Sequence, residues 1–196
     1  MPSGKINGLL LGLVVLGVSQ CSPSRSEGGG EMTYQEAKRR TDPAQYGTVV
    51  KGSTQEQAAI DRFSDFFASM SVASAHKKTK QVYADSAFFN DTLKSVQGAQ
   101  AIEAYLAESL AATESVVVEI EDIAESGGNY YFIWTMTIRF KNLNKGRPAR
   151  SSGMSHIRFN REGKIVLHQD YWDATVGLFE YMPVVGRMIR YIKGRI

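Results

Sequence analysis

Cysteine is almost missing from this chain: Cys21 is the only one in 196 residues, so no internal disulfide can form. Charge of one sign is missing too. Lys and Arg number 23 against 20 Asp and Glu, a formal net charge of +3, and most of the excess lies in the last ten residues, which gives no basic surface for nucleic acid. No apolar run approaches the roughly 20 residues that a membrane-spanning helix needs. The three histidines form no cluster with metal-ligand spacing, so neither a metal nor another cofactor is expected. What remains, with 43% hydrophobic residues, is enough for one core and too little for two ordinary domains.

The longest apolar run, Leu9 to Val18, follows Lys5 and reads as a signal-peptide core. It ends in Val18-Ser19-Gln20-Cys21, which resembles a bacterial lipobox, except that Gln20 stands where Gly, Ala or Ser is usual. That resemblance implies an exported protein, anchored to a membrane through lipidated Cys21 and facing the periplasm. The alternative is an ordinary secretory signal cut nearby. From Ser22 to Gly52 the composition turns to Ser, Gly, Pro, Gln and charge, too poor in apolar residues to offset the entropy of ordering, and reads as a flexible tether. Four segments result: a signal peptide over 1–21, a tether over 22–52, a folded domain over 53–175 and an extension over 176–196.

The folded part opens with Ser53 and Glu56 in capping-box spacing. Ala59, Ile60, Phe63, Phe66, Phe67 and Met70 follow at helical spacing. A second helix is expected over His76 to Tyr83, a short extended piece at Phe88-Phe89-Asn90, and a third helix after Gly98. Strands follow at Val116 to Ile123, Tyr130 to Phe140, Ser151 to Phe159 and Ile165 to Trp172. Helices first and antiparallel strands afterwards define an α+β domain with its helices on one face of a sheet.

The stretch Ile157 to Ala174 draws the most attention. Strand alternation puts Val166, His168, Asp170 and Trp172 on one face and Ile165, Leu167, Gln169 and Tyr171 on the other. An imidazole, a carboxylate and an indole in one row suit a pocket wall better than a plain core.

The order of helix, helix, VYADSAFFND, QGAQAIEAYL and strands ending in IRFNREGKIVLHQDYWD resembles the nuclear transport factor 2-like superfamily, in its SnoaL-like and ketosteroid-isomerase-like branch, over about Ser53 to Ala174. The resemblance implies a cone: a curved antiparallel sheet wrapped around the helices, an apolar pocket inside, and dimers through the sheet's outer face. It makes Asp91 the counterpart of the isomerase base. Phe63 and Ser155 fall where the Tyr and protonated Asp donors of that enzyme would stand, so its enolate-stabilising pair is missing. Asp170 matches one aspartate of the limonene-epoxide-hydrolase-like set, but the partner strand offers Trp134, Thr135, Met136 and Thr137 in place of Arg and Asp.

The expected pocket therefore has Asp91, Asp170 and His168 as its acid/base groups, with Phe63, Phe67, Tyr83, Tyr105, Trp134, Ile157 and Trp172 lining it. Asp170 has a structural reading as well, as an acceptor that fixes the cone's rim. Two functions stay open: binding of a small apolar or amphipathic ligand without turnover, or an isomerase, cyclase or hydratase using Asp91 and Asp170. The extension places Val185, Met188, Ile189, Ile192 and Ile196 on one side, with Arg187, Arg190 and Lys193 opposite. Such a helix either folds back over the cone's mouth, the favoured outcome, or lies on an anionic membrane.

Overall fold

The computed structural model of the protein describes residues 32–68 and 70–195. The signal peptide, Cys21 and the first part of the tether lie outside the described residues.

Residues 32–52 correct the tether's extent. Thr33 caps helix α1 (Tyr34–Arg40), and Asp42 caps the single turn α2 (Pro43–Tyr46), which has Pro43 in its first turn. Ala37 is fully buried against Phe88 and Leu167 on the outer face of the sheet. The Arg158 guanidinium donates to the Lys38 carbonyl at 2.6 Å and to the Thr41 hydroxyl at 3.2 Å. One small apolar residue and one buried cation dock a segment whose composition alone reads as a linker.

Helix α3 (Thr54–Ala68) starts as expected, with Ser53 Oγ accepting the Glu56 N–H at 3.1 Å. The Glu56 carboxylate then takes the Gly52 N–H and the Tyr130 hydroxyl, both at 2.6 Å, tying the helix start to the sheet. Helix α4 (Val72–Val82) begins four residues before His76, because Ser71 and Ser74 close a reciprocal cap. Helix α5 (Ala99–Ala111) follows Gly98, whose φ of 90° favours glycine, and buries Ile102, Leu106 and Leu110.

Six strands form one curved, unclosed sheet: β1 (Tyr83–Asn90), β2 (Ser95–Gln97), β3 (Thr113–Ser126), β4 (Asn129–Phe140), β5 (Ala149–Phe159) and β6 (Ile165–Trp172). Their order is β2-β1-β6-β5-β4-β3. The expected α+β cone is present, with one correction to its antiparallel character: β1 pairs with β6 in parallel. Hairpins leave a turn signal in the sequence, whereas this pair is joined by a crossover containing most of the domain and leaves none. The strands at Phe88 and at Ser95 were legible only as a fragment and not at all. Along β6 the alternation is interrupted by a bulge opposite Arg158 and Phe159, so Ile165 joins the main core while Leu167 turns outward under α1.

The main core lies on the concave side, where α3 and α5 lay Phe63, Phe66, Phe67, Ile102 and Leu106 over Phe132, Trp134 and Phe159. Helix α1 covers the β1–β6 part of the outer face, so a dimer through that face would have to use the remainder, where Val117 and Ile133 are exposed. After the sheet, Asp173 caps the short α6 (Ala174–Gly177), a 3-10 turn spans Phe179–Tyr181, and α7 runs Val185–Lys193.

Helix α7 does not lay its apolar stripe over the cone. It packs on the 3-10 turn through buried Gly186, and Arg190 and Lys193 reach back to Glu180. A side chain at Gly186 would meet the Glu180 carbonyl oxygen at 2.1 Å, so the helix can sit this close only on its glycine side. No helix among the described residues is long and apolar enough to cross a membrane.

Candidate functional site

The concave face encloses a cavity of about 190 Å³. Phe63, Phe67 and Met70 reach it from α3 and the residues just after it, and Tyr105, Leu106, Ser109 and Leu110 from α5. Phe89, Val118, Trp134 and Met136 come from the strands, and Leu178 from the segment after α6. Leu93, 45% exposed, stands at its rim. Against this apolar wall stand a few polar groups, chiefly Asp91, Ser155, His168 and Asp170.

Two tryptophans are seated by one glycine. Trp134 on β4, Gly153 on β5 and Trp172 on β6 lie in register across the sheet. A Cβ at Gly153 would come within 2.4 Å of the Trp134 ring and 2.8 Å of the Trp172 Cβ. The missing side chain gives both indoles their place in the wall.

His168 and Asp170 point inward from β6 and form a directed chain. The Tyr83 hydroxyl lies 2.7 Å from His168 Nδ1. Burial, reinforced by the Asp170 charge, pushes the Tyr83 pKa well above the ordinary phenol value, so this hydroxyl stays protonated and can donate a hydrogen bond to Nδ1. Nε2 then carries the imidazole hydrogen and donates to Asp170 Oδ1 at 2.8 Å. The same Oδ1 accepts the Ser155 hydroxyl at 2.5 Å, and Ser155 in turn accepts the Trp134 Nε1–H at 2.9 Å. Every donor in the chain thus finds one acceptor, and the chain ends on one carboxylate oxygen. Among the described residues Asp170 Oδ2 has no hydrogen-bond partner.

Asp91, the expected counterpart of the isomerase base, is held by its neighbours. Its Oδ1 accepts the N–H groups of Leu93 and Lys94, closing the turn between β1 and β2, and its Oδ2 accepts the Tyr105 hydroxyl. Both oxygens are committed. Burial, with Asp91 as the next cause, raises the Tyr105 pKa, so that hydroxyl also stays protonated. The Trp172 Nε1–H donates to the Asp91 carbonyl at 2.7 Å, so this residue also fixes the rim.

Of the expected lining residues, Phe63, Phe67, Tyr105, Trp134 and Trp172 reach the cavity, while Tyr83 and Ile157 do not. Tyr83 is fully buried behind His168, stacked on its ring at 6.0 Å. Ile157 lies two residues beyond Ser155 on β5, opposite His168, where the core is already filled. Sequence reasoning missed Phe89, Met136 and Leu178, which carry no chemical signal, and the bridging role of Ser155, whose signal was its place two residues after Gly153. No group of residues suited to a metal ion occurs among the described residues.

The fold and the cavity together define a member of the cone-shaped α+β class. A family model described as the SnoaL-like domain matches residues 60–168, more than half of the chain, and the chain belongs to that family. No curated protein matches it. Among solved structures, a putative polyketide cyclase from Acidithiobacillus ferrooxidans superposes with a TM-score of 0.55 at 13% identity, covering 67% of this chain and 97% of that one. An LEH-like epoxide hydrolase from M. tuberculosis gives 0.53 at 13% identity, covering 71% and 98%. A hypothetical protein with a ketosteroid isomerase-like fold from Catenulispora acidiphila, in complex with trimethylamine, gives 0.53 at 16% identity, covering 61% and 88%. At these identities the likeness is one of fold.

Proposed function

We propose that this domain binds a small, mostly apolar molecule carrying one hydrogen-bond donor, which seats on Asp170 Oδ2. The observation that carries the reading is the asymmetry of that carboxylate: among the described residues one oxygen holds two protein donors and the other holds none, on a residue that lines an apolar cavity. Five donors around the cavity, the N–H or O–H groups of Tyr105, Trp134, Ser155, His168 and Trp172, are committed to protein acceptors, and the exposed Ser109 hydroxyl on α5 is a further polar group of the wall. The site therefore offers an acceptor to its ligand, and favours an alcohol, phenol or amine over a ketone or ether. The leader ending at Cys21 would export the domain and anchor it by a lipid, with a membrane at hand as a source of such ligands.

A turnover reading rests on the same residue. Asp170, backed by His168 and Tyr83, has the geometry of a general base. An enolate or oxyanion formed beside it would need free donors, and the five named above are engaged, which weighs against isomerase chemistry. Asp91 also lines the cavity, with the Leu93 and Lys94 amides on its Oδ1 and the Tyr105 hydroxyl on its Oδ2.

Titration with p-cresol and its methyl ether tests the binding reading. A charge-assisted hydrogen bond contributes about 1.5 to 3 kcal/mol, so the phenol should bind at least about tenfold more tightly than the ether. Equal affinities would remove Asp170 from ligand recognition. Deuterium exchange into a bound 1,3-diketone, fast with the parent protein and absent with Asp170→Asn, would favour turnover instead.

A further inference from the structure

Helix α7 turns its apolar side to solvent. Val184 is 64% exposed, Met188 60%, Tyr191 60% and Ile192 55%, while the buried position of the helix is Gly186. At about 100° per residue, these four residues and Val185 share the face directed away from the 3-10 turn, with Arg187 on its flank and Arg195 just past the helix end. The Arg195 guanidinium lies over the Tyr191 ring, 4.4 Å from its centre. An amphipathic helix that served only to complete a core would point the other way.

We infer that α7 docks the protein on an anionic lipid surface, with Val184, Met188, Tyr191 and Ile192 entering the acyl boundary and Arg187 and Arg195 meeting the headgroups. Charge complementarity selects this occupant. From Pro183 to Arg195 there are four basic residues and no acidic one, and the nearest carboxylate, Glu180, is engaged by Lys193. A second copy of the same face would bring Arg187 and Arg195 against their own counterparts with nothing to neutralise them. A lipid surface of opposite charge takes both the apolar stripe and the cations. The inference is independent of the ligand reading, although Leu178, in the segment that leads to α7, forms part of the cavity wall.

The test is flotation of the full chain with vesicles of phosphatidylcholine alone and of phosphatidylcholine mixed with phosphatidylglycerol. Any contribution of the N-terminal apolar run is common to all the proteins compared. The parent protein should partition onto the anionic vesicles about tenfold more strongly than Met188→Glu/Ile192→Glu or Arg187→Glu/Arg195→Glu, and the difference should shrink as salt is raised. All four side chains are largely solvent-facing, so the variants should keep the parent's circular dichroism and melting temperature. Equal partition of parent and variants on anionic vesicles would overturn the inference. So would a dimer, seen by sedimentation equilibrium, that the Met188→Glu/Ile192→Glu pair dissociates while vesicle binding stays unchanged.

Discussion

Two histidines on opposite faces of one sheet use the same bonding pattern to different ends. His168, facing in, takes the Tyr83 hydroxyl at Nδ1 and gives its Nε2–H to Oδ1 of Asp170. His156, facing out, takes the Tyr34 hydroxyl at Nδ1 and gives its Nε2–H to Oδ1 of Asn129. The difference lies beyond the acceptor. Asn129 Oδ1 also accepts from Arg158 Nε at 2.7 Å, and α1 closes over the cluster, so nothing is left to bind. Beyond Asp170 there is a cavity and an unclaimed oxygen. A hydrogen-bonded Tyr–His pair is thus scaffold on one face and, on the proposed reading, part of a binding site on the other, and its surroundings decide which.

The comparison can be broken, most severely from the core that both faces share. Phe132, with its ring 4.1 Å from that of Phe63 and fully buried, holds α3 on the concave side. Phe132→Ala should cost about 3 to 5 kcal/mol in denaturant unfolding and abolish ligand binding with it. On the outer face, Arg158→Met removes the bonds to Asn129, Lys38 and Thr41. About 2 kcal/mol should be lost, amide exchange in α1 should accelerate, and p-cresol affinity should stay put. A fall in affinity would mean that the two faces are coupled.

Smaller and sharper is the pair of tyrosine variants. Tyr83→Phe and Tyr34→Phe should each cost about 1 kcal/mol, since each removes one hydroxyl from an imidazole. Only Tyr83→Phe should alter binding, because only its histidine orients Asp170, the acceptor proposed for the ligand.

The last effect is one of pH. Burial, then the charges of Arg158 and Lys38, hold the His156 pKa at about 4, below its ordinary 6.5. The unfolded chain therefore takes up a proton near 6.5 that the folded chain refuses until about 4. Stability present above pH 6.5 is lost as pH falls through that window, and in His156→Gln this part of the slope should vanish from urea titrations.

How much of this was legible in the residues follows from the range over which each signal acts. The alternation of His168, Asp170 and Trp172 is local, and so was the wall they form. The capping pair at Ser53 and Glu56 and the helical stripe of Phe63 and Phe67 were legible for the same reason. Pairings between distant residues were not. Nothing near Asp91 announces that the Tyr105 hydroxyl bonds to it, and nothing near Lys38 announces Arg158. The parallel β1–β6 pair and the docking of α1 were hidden likewise, because each depends on a partner about 80 or more residues away. Helix α7 was legible as amphipathic, but its orientation was set by Gly186 meeting Glu180, a contact that the hydrophobic pattern does not contain.

The central claim is that Asp170 presents an acceptor to the cavity. The direct measurement is the preference of Asp170→Asn for p-cresol over its methyl ether. In that variant the side-chain oxygen should keep the Ser155 and His168 hydrogen bonds and turn an N–H₂ donor toward the ligand. The account predicts that the phenol's advantage disappears and passes to the ether, with total stability nearly unchanged. An unaltered preference for the phenol would contradict it.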